Sequence, residues 1–194
     1  RVTDELLEVM ASEPKVVKYM DVPVQHASGR ILKAMNRRDD YDYLRNLMQK
    51  IREKIPGVVL RTTFITGFPG ETEQEFSDSL SFMQTCSLAA VHVFPYSRRK
   101  GTPAAAMPGQ IPNAVKERRA AEAAAVAAEL ETQYHTALLG TTQQVLFEQE
   151  EDGLYAGHAM NYVKVYVQAA DLHNEIRAVR ITELCRDGVF GELE

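Results

Sequence analysis

The stretch TFITGFPGET at residues 63–72 joins an apolar run to a glycine-proline turn and then to an acidic helix start. The run Val58–Ile65 is rich in β-branched residues, which is typical of a strand buried on both faces. Thr72 and Glu75 have the spacing of a capping box, and an apolar stripe follows them. The stretch therefore predicts a parallel strand, a tight turn and a helix.

The turn itself has the composition of a cofactor loop. Gly67 and Gly70 allow the backbone to bend and a ligand to approach closely, and Pro69 stiffens the chain between them. Ligands in open α/β sheets lie at such strand-to-helix turns. An ordinary strand-turn-helix connection has the same spacing, so both interpretations stay open.

Outward from this stretch, helices alternate with strands. Two more strands are predicted at Val16–Val24 and Ala89–Phe94, and helices at about 5–10, 28–35, 41–55, 72–85 and 113–138. This alternation implies right-handed crossovers and a parallel sheet. Three strands are too few to close a barrel.

From Gly140 onward the apolar residues recur with a period of two. Strands are predicted at Gln144–Glu148, Leu154–Val167 and Glu175–Leu184, and a last short strand follows Asp187. Short strands in about 55 residues favour a small antiparallel, OB-like β-barrel. The fold class is therefore α/β, with predicted boundaries at residues 1–111, a connecting helix at 112–138 and the barrel at 139–194.

Length and composition narrow the class of protein. The chain has 194 residues and begins with Arg1 rather than Met, which predicts a part of a longer protein or a processed product. Because no apolar run approaches the roughly 20 residues of a membrane span, and no signal peptide precedes the fold, a cytoplasmic protein without membrane contact is expected. Cys86 and Cys185 are too few for a disulfide framework or a cysteine metal site, and both are expected to be buried, inert thiols.

The net charge of −5 is unevenly distributed. Residues 139–194 contain ten acidic and four basic residues, whereas residues 1–138 sum to +1. Proteins that bind nucleic acid are usually basic on at least one face. The predicted barrel lacks that excess of basic residues.

Four short motifs occur in a defined order: PVQHAS at 23–28, MNRR at 35–38, GFPGET at 67–72 and VFPYS at 93–97. In this order they resemble the radical-SAM methylthiotransferases, and the resemblance extends from about residue 4 to residue 192. It implies the C-terminal half of a partial (β/α) barrel that binds S-adenosylmethionine and 4Fe–4S clusters. Residues 139–194 resemble the TRAM barrel that reads the target in that family.

The chain departs from the family pattern at its cysteines. The family binds its radical cluster through a Cys-x3-Cys-x2-Cys motif, and three further cysteines lie in an N-terminal domain. Neither set is present, and two distant cysteines cannot supply the ligands at the required spacing. No metal ligand is therefore expected in this chain. The resemblance implies a C-terminal portion of a methylthiotransferase that is inactive alone.

Different parts of the chain resemble two different branches of the family. Up to about Glu75 the motifs are most similar to the branch that modifies an aspartate of a small-subunit ribosomal protein. From about Val91 they are most similar to the branch that modifies threonylcarbamoyladenosine in tRNA. Because the barrel should choose the target, tRNA is the first expected partner and the ribosomal protein the second. A non-catalytic TRAM binding module is the alternative of another class.

The resemblance also implies which residues face the cofactor: Gln25, Arg61, Ile65, Gly67 and Tyr96. Ile65 would offer an apolar surface to the adenine base. Arg61 lies in an apolar strand, where a cation needs a partner, so a structural ion pair is the alternative. No residue is assigned a catalytic role.

Several polar and aromatic residues keep two interpretations. Glu71 either stabilises a helix N-terminus or touches a ligand. His26 is either a polar wall of the site or a turn residue bonded to backbone. Tyr155, Tyr162 and Tyr166 either stack on bases or occupy half-buried strand positions.

Overall fold

The structure is a computed structural model and describes residues 2–194. It contains two compact units, one formed by residues 2–8 and 20–131 and the other by residues 9–19 and 132–194. The predicted boundaries at 111 and 138 remain a prediction, and Arg1 lies outside the described residues. In chain order the elements are α1 Asp4–Ser12, β1 Tyr19–Asp21, α2 Gly29–Ala34, α3 Tyr41–Lys54, β2 Val59–Thr66, α4 Glu73–Thr85, β3 Ala90–Pro95, α5 Pro103–Ala106, α6 Asn113–Ala137, β4 Thr142–Glu151, β5 Leu154–Ala159, β6 Lys164–Val167, β7 Ile176–Cys185 and β8 Gly188–Leu193.

The first unit contains a three-stranded sheet in the order β1-β2-β3. Strands β2 and β3 are parallel, with Arg61 opposite Ala90 and Ile65 opposite Phe94. The predicted capping box begins α4, since the Thr72 hydroxyl accepts from the Glu75 N–H and the Glu75 side chain accepts from the Thr72 N–H. The alternation of strands and helices is confirmed.

Strand β2 is covered on one face only. Its buried side chains alternate with half-buried ones, so Thr62, Phe64 and Thr66 lie on one face and Thr63 and Ile65 on the other. Beneath the buried face, the ring of Phe64 packs on Phe82 of α4 with centroids 6.0 Å apart. Burial of this strand on both faces is therefore wrong for the described residues, because the second face is only half-buried.

Strand β1 is much shorter than the predicted strand Val16–Val24. The Lys18 ammonium donates to the carbonyl oxygens of Ala11 and Glu13, each at 3.2 Å, and also to that of Met10. These are the carbonyl groups left without partners at the end of α1, where a cation is favourable. Residues 13–18 therefore form a turn, and the strand begins only at Tyr19.

Pro23 ends β1 because it has no N–H to donate to the neighbouring strand. The side chain of Thr62 in β2 replaces the missing ladder bond. Its hydroxyl donates to the Val22 carbonyl at 2.6 Å and accepts from the Val24 N–H at 3.1 Å. The chain thereby stays attached to the sheet past the proline.

The second unit contains a closed barrel in the order β4-β5-β6-β8-β7. Its core is made of side chains fully excluded from solvent, among them Val145, Phe147, Val165, Val179 and Ile181. The prediction of an antiparallel barrel is wrong at one pair, because β6 and β8 are parallel. Strand β6 runs in the direction of β4, because both are antiparallel to β5. Strand β8 also runs in the direction of β4, because both are antiparallel to β7, so β6 and β8 are parallel where they meet.

The predicted strand Leu154–Val167 is two strands. Tyr162 has a left-handed backbone with φ 63°, and its N–H donates to the Ala159 carbonyl at 2.9 Å. The turn reverses the chain, so β5 and β6 pair as an antiparallel hairpin. The period-two pattern continues through the turn, which hides it from the sequence.

Among residues 2–194, no helix is both long and apolar enough to cross a membrane.

Candidate functional site

A groove with a volume of about 420 Å³ lies where β2 and β3 end at the carboxyl edge of the sheet. Ligand pockets in proteins typically have volumes of roughly 300–1,000 Å³. The residues that line it include Gln25, Ile65, Phe94, Tyr96, Ser97 and Arg99. Three of the five predicted cofactor residues, Gln25, Ile65 and Tyr96, therefore come together in one concave site.

Gln25 is held in the groove by backbone bonds to β2. Its N–H donates to the Thr63 carbonyl at 2.8 Å, and its carbonyl accepts from the Ile65 N–H at 2.8 Å. Between these bonds its φ is 73°, a left-handed conformation that costs a non-glycine residue about 1–2 kcal/mol. Unfavourable backbone conformations of this kind cluster at ligand sites. The sheet thus imposes the position from which this amide faces the groove.

The apolar side of the groove is formed by Ile65 and Phe94. These residues are register partners on β2 and β3, and partners in a parallel pair project on the same face. The Phe94 side chain is 53% exposed, which is high for a large apolar residue. Together the two side chains offer a flat apolar surface of the kind that an aromatic base covers.

Tyr96 brings an unsatisfied polar group to the site. Its N–H donates to the Thr66 carbonyl at 2.8 Å, and its ring packs edge-on against Phe68 with centroids 5.3 Å apart. The hydroxyl oxygens of Tyr96 and Thr66 are both buried and have no hydrogen-bond partner among the described residues. Leaving such a group unpaired costs about 1–3 kcal/mol, so a ligand that bonds to it is favoured.

Arg61 lies on β2 but does not line this groove. Its guanidinium pairs with the carboxylate of Asp21 and also contacts Nε2 of His92 at 2.5 Å. This ion pair is the structural alternative predicted for a cation in an apolar strand. The proposed cofactor contact of Arg61 gains no support from its position.

Gly67 also lies outside the groove, and its backbone has φ 71°. A Cβ atom at this position would be 2.3 Å from Cγ of Lys116, a residue of α6. Glycine is therefore required for the close approach of α6. A ligand contact through Gly67 remains a prediction.

Behind the turn, Glu71 is the centre of a buried polar network. Its Oε1 is 3.2 Å from His26 Nε2, and its Oε2 accepts from Arg119 at 2.9 Å and from the Gly67 N–H. Nδ1 of His26 accepts from the Ser28 N–H at 2.9 Å, so the neutral ring carries its proton on Nε2 and donates it to Glu71. Glu71 thus holds the turn after β2.

These contacts bear on the alternatives left open for His26 and Glu71, and the Glu71 carboxylate bonds to Arg119, His26 and the Gly67 N–H rather than to the N-terminus of α4. His26 is bonded to backbone and to Glu71, and neither side chain lines the groove. Arg119 was not among the predicted residues, and its side chain is only 4% exposed although it lies on a long alanine-rich helix. Arg119 lies four and eight residues before the buried Ala123 and Ala127, so an arginine on the same helical stripe as these alanines is the signal that could have identified it.

A second carboxylate, Glu75, joins the caps of α2 and α4. It receives a bidentate pair from Arg30 at 2.7 and 2.5 Å, and the Ser28 hydroxyl donates to it at 2.9 Å. Burial raises the pKa of Glu75, but hydrogen bonds from Arg30, Thr72 and Ser28 outweigh this effect and bring it to about 2. The carboxylate is therefore charged throughout the physiological range.

The cysteines do not form a metal site. Cys86 is buried at the end of α4, and burial raises the pKa of its thiol, whereas Cys185 at the end of β7 is only half-buried. The prediction of a buried thiol is thus confirmed for Cys86 and wrong for Cys185. Within residues 2–194, no group of three or more His, Cys, Asp or Glu residues is placed to hold a metal ion.

Comparisons with known proteins agree with the motif order. Residues 1–83 match the Radical SAM superfamily. The ribosomal protein uS12 methylthiotransferase RimO of Pelotomaculum thermopropionicum is 44% identical over 161 residues, which cover 81% of this chain and 36% of the relative. The same-named protein of Pelobacter propionicus is 37% identical over 203 residues, covering 100% of this chain and 45% of the relative.

The chain belongs to the radical-SAM methylthiotransferase family. It spans less than half the length of these curated relatives. S-adenosylmethionine and 4Fe–4S clusters are the cofactors that this family implies. The cysteines that would ligate a cluster are absent from this chain.

The groove fits one of these cofactors and the chain does not fit the other. Ile65 and Phe94 form an apolar surface for an adenine base, and the unpaired Tyr96 hydroxyl can bond to a polar group of the same ligand. A 4Fe–4S cluster needs several thiolates at fixed spacing. The described chain therefore has residues for the adenosyl part of S-adenosylmethionine and none for the cluster.

Proposed function

We propose that the chain is a portion of a radical-SAM methylthiotransferase that modifies an aspartate of ribosomal protein uS12. The observation that carries this proposal is the similarity to relatives with that printed activity, at 37–44% identity. The first unit would be part of the radical-SAM barrel, which its parallel sheet and carboxyl-edge groove support. The closed five-stranded barrel would be the TRAM module.

This reverses the order of partners expected from the sequence, in which tRNA came first. The relatives that match most of the chain are named for a ribosomal protein. Tyr155 and Tyr166, two of the three tyrosines considered for base stacking, are buried in the barrel unit, and only Tyr162 is exposed, at 62%. With ten acidic and four basic residues, residues 139–194 suit a basic protein better than a nucleic acid.

The groove residues would bind and orient the cofactor. Ile65 and Phe94 would hold the base, and the Gln25 amide and the Tyr96 hydroxyl would bond to polar atoms of the cofactor. When bound, S-adenosylmethionine supplies radical chemistry to an enzyme. Since the cluster ligands are absent, we expect this chain alone to be inactive and to bind the cofactor only weakly.

Binding to uS12 and to tRNA at low salt tests the choice of partner. We expect uS12 to bind to the 194-residue chain and the complex to weaken as salt is raised. The double variant Glu150→Lys/Glu183→Lys, which reverses two exposed charges of the barrel, should weaken it. The matched variant Glu5→Lys/Glu117→Lys, with exposed sites in the first unit, should have a smaller effect. Binding of tRNA without binding of uS12 would overturn the proposal.

Calorimetry with S-adenosylmethionine separates the enzyme portion from a non-catalytic TRAM binding module. A cofactor groove predicts weak binding that Ile65→Asp abolishes, because a charge would replace the apolar surface. A non-catalytic binding module predicts that neither the unchanged chain nor Ile65→Asp binds the cofactor, and that both bind the target equally well.

A further inference from the structure

The basic run Arg98-Arg99-Lys100 follows β3 at the carboxyl edge of the sheet, and its three cations have different surroundings. The Arg98 guanidinium donates through Nε to the Ala105 carbonyl at 2.9 Å and so holds the loop in place. Lys100 does not line the groove that contains Gln25 and Tyr96. Arg99 lines it. One cation of the three therefore faces the candidate site.

The backbone that carries Arg99 is fixed. Its carbonyl accepts from the Thr102 hydroxyl at 2.8 Å and from the Thr102 N–H at 3.2 Å. Arg98 and Thr102 are both bonded to Ala105 of α5. Arg98 donates to the Ala105 carbonyl, and the Thr102 hydroxyl accepts from the Ala105 N–H. The loop thus presents Arg99 from a constrained position, while its side chain remains exposed.

The charge of Arg99 is not balanced within the site. No Asp or Glu lines the groove, and among the described residues no carboxylate forms an ion pair with Arg99. Three other arginines of the first unit differ in this respect, because Arg30, Arg61 and Arg119 are each paired with a carboxylate. The groove therefore carries one positive charge without a partner, and this charge selects for an anionic ligand group.

The cofactor does not supply that group through its reactive end. S-adenosylmethionine has a carboxylate of its own at the methionine end, but the neighbouring ammonium and the sulfonium give that end a net positive charge. The apolar pair Ile65 and Phe94 matches the neutral base. A planar guanidinium matches a carboxylate through two parallel N–H···O bonds. A ligand with a carboxylate, distinct from the adenosyl part, is the chemical class that this position fits.

We propose that Arg99 binds the carboxylate of the target aspartate and thereby selects an acidic side chain as substrate. This inference rests on the proposed function, in which the target is an aspartate of uS12. It assigns to Arg99 the role of a substrate-binding residue. The amide of asparagine at the same place would lack the charge and one of the two acceptor oxygens.

A double-mutant cycle with the 194-residue chain tests this assignment. The binding partners are uS12 and its variant with the target aspartate changed to asparagine, measured by calorimetry at low salt. Arg99→Gln should weaken binding of unmodified uS12 about tenfold and leave binding of the asparagine variant unchanged. The control is Lys100→Gln, which removes the same charge from the neighbouring position outside the groove, and it should weaken both partners equally.

Each other result has a distinct meaning. If Arg99→Gln and Lys100→Gln act equally on both forms of uS12, the inference is overturned and the proposed function stands. If Arg99→Gln weakens S-adenosylmethionine binding instead, Arg99 holds the carboxylate of the cofactor and the inference is wrong. If neither the unchanged 194-residue chain nor its variants bind uS12, the proposed function fails and the inference fails with it.

Discussion

The carboxylate of Glu71 lies 2.9 Å from the guanidinium of Arg119, and the two side chains are 0% and 4% exposed. This pair joins the turn after β2 to helix α6 within the first unit. Taking two charges out of water is costly, and their attraction compensates only while both partners are present. The turn beside the groove is therefore held by a pair whose members cannot be removed singly at low cost.

Removal of one partner should be strongly destabilising. Arg119→Leu leaves the Glu71 carboxylate buried without its cation, and we expect a loss of about 3–5 kcal/mol in the free energy of unfolding. The double variant Glu71→Gln/Arg119→Leu should lose much less than the sum of its single changes. Urea denaturation measures both values, and Arg118→Leu, at a side chain that is 46% exposed, is the matched control. Simple additivity would show that the two residues are not coupled.

Acid should weaken the fold through Glu75. Because its folded pKa of about 2 lies below the usual 4.5, its contribution to stability is complete above pH 4.5 and is lost as the pH falls toward 2. We expect about 1–3 kcal/mol from this group, reduced by its partial exposure. Between roughly pH 5 and pH 3, where loss of this contribution begins, the melting temperature of Glu75→Gln should fall less than that of the unchanged chain. The exposed Glu117→Gln should melt like the unchanged chain at every pH.

Two glycines with similar backbone angles separate steric from conformational effects. Gly67 and Gly57 have φ 71° and 76°, but only at Gly67 does an added Cβ meet a neighbour, namely Lys116. We expect Gly57→Ala to cost about 1 kcal/mol and Gly67→Ala about 2–4 kcal/mol in chemical denaturation. Equal losses would mean that the Lys116 side chain moves aside freely.

The Tyr96 hydroxyl should matter for the ligand more than for folding. Tyr96→Phe removes a buried group without a partner among the described residues, so stability should be unchanged or rise by up to about 1 kcal/mol. Binding of S-adenosylmethionine should weaken about tenfold in calorimetry, because the bound hydroxyl forms a hydrogen bond. Tyr43→Phe, at an exposed site on α3, is the control. A loss of stability without loss of binding would assign this hydroxyl to the fold.

The edge strand β3 should promote self-association. Strand β3 has a strand partner on one side only among residues 2–194, and Phe94 exposes an apolar ring beside that edge. Light scattering at tens of micromolar, on the order of the concentrations where partly open folds associate, should detect oligomers. Phe94→Lys should reduce them, whereas Leu193→Lys in the barrel unit should not. A monomeric chain under these conditions would contradict this prediction.

Local signals in the sequence predicted those parts of the fold that local interactions determine. The capping box of Thr72 and Glu75, the helix Tyr41–Lys54 and strand β2 follow from residue spacing and periodicity. The attachment of residues 22–24 to the sheet does not, because it depends on Thr62, a side chain of β2 that is 40 residues away from Val22. The turn at Tyr162 interrupts a pattern whose period of two continues across it.

The candidate site shows the same division. Gln25, Ile65 and Tyr96 were predicted from the resemblance to the family, and the parallel strands bring these three residues into one groove. Arg119 was missed since its partner Glu71 is 48 residues away in the chain. The ion pair of Arg61 was foreseen only as an alternative, because sequence cannot show which side of a strand has an acidic neighbour.

The hydroxyl of Thr62 that bridges Val22 and Val24 also implies an order of folding. Segment 22–25 takes its hydrogen bonds from the side chain and backbone of β2, so it gains them only after β2 has formed. Local contacts form before distant ones, and β2, α4 and β3 are consecutive in the chain. The unit would then nucleate on these three elements, with the edge that carries Gln25 docking last. Substitutions in segment 22–25 should accordingly accelerate unfolding and leave the folding rate almost unchanged.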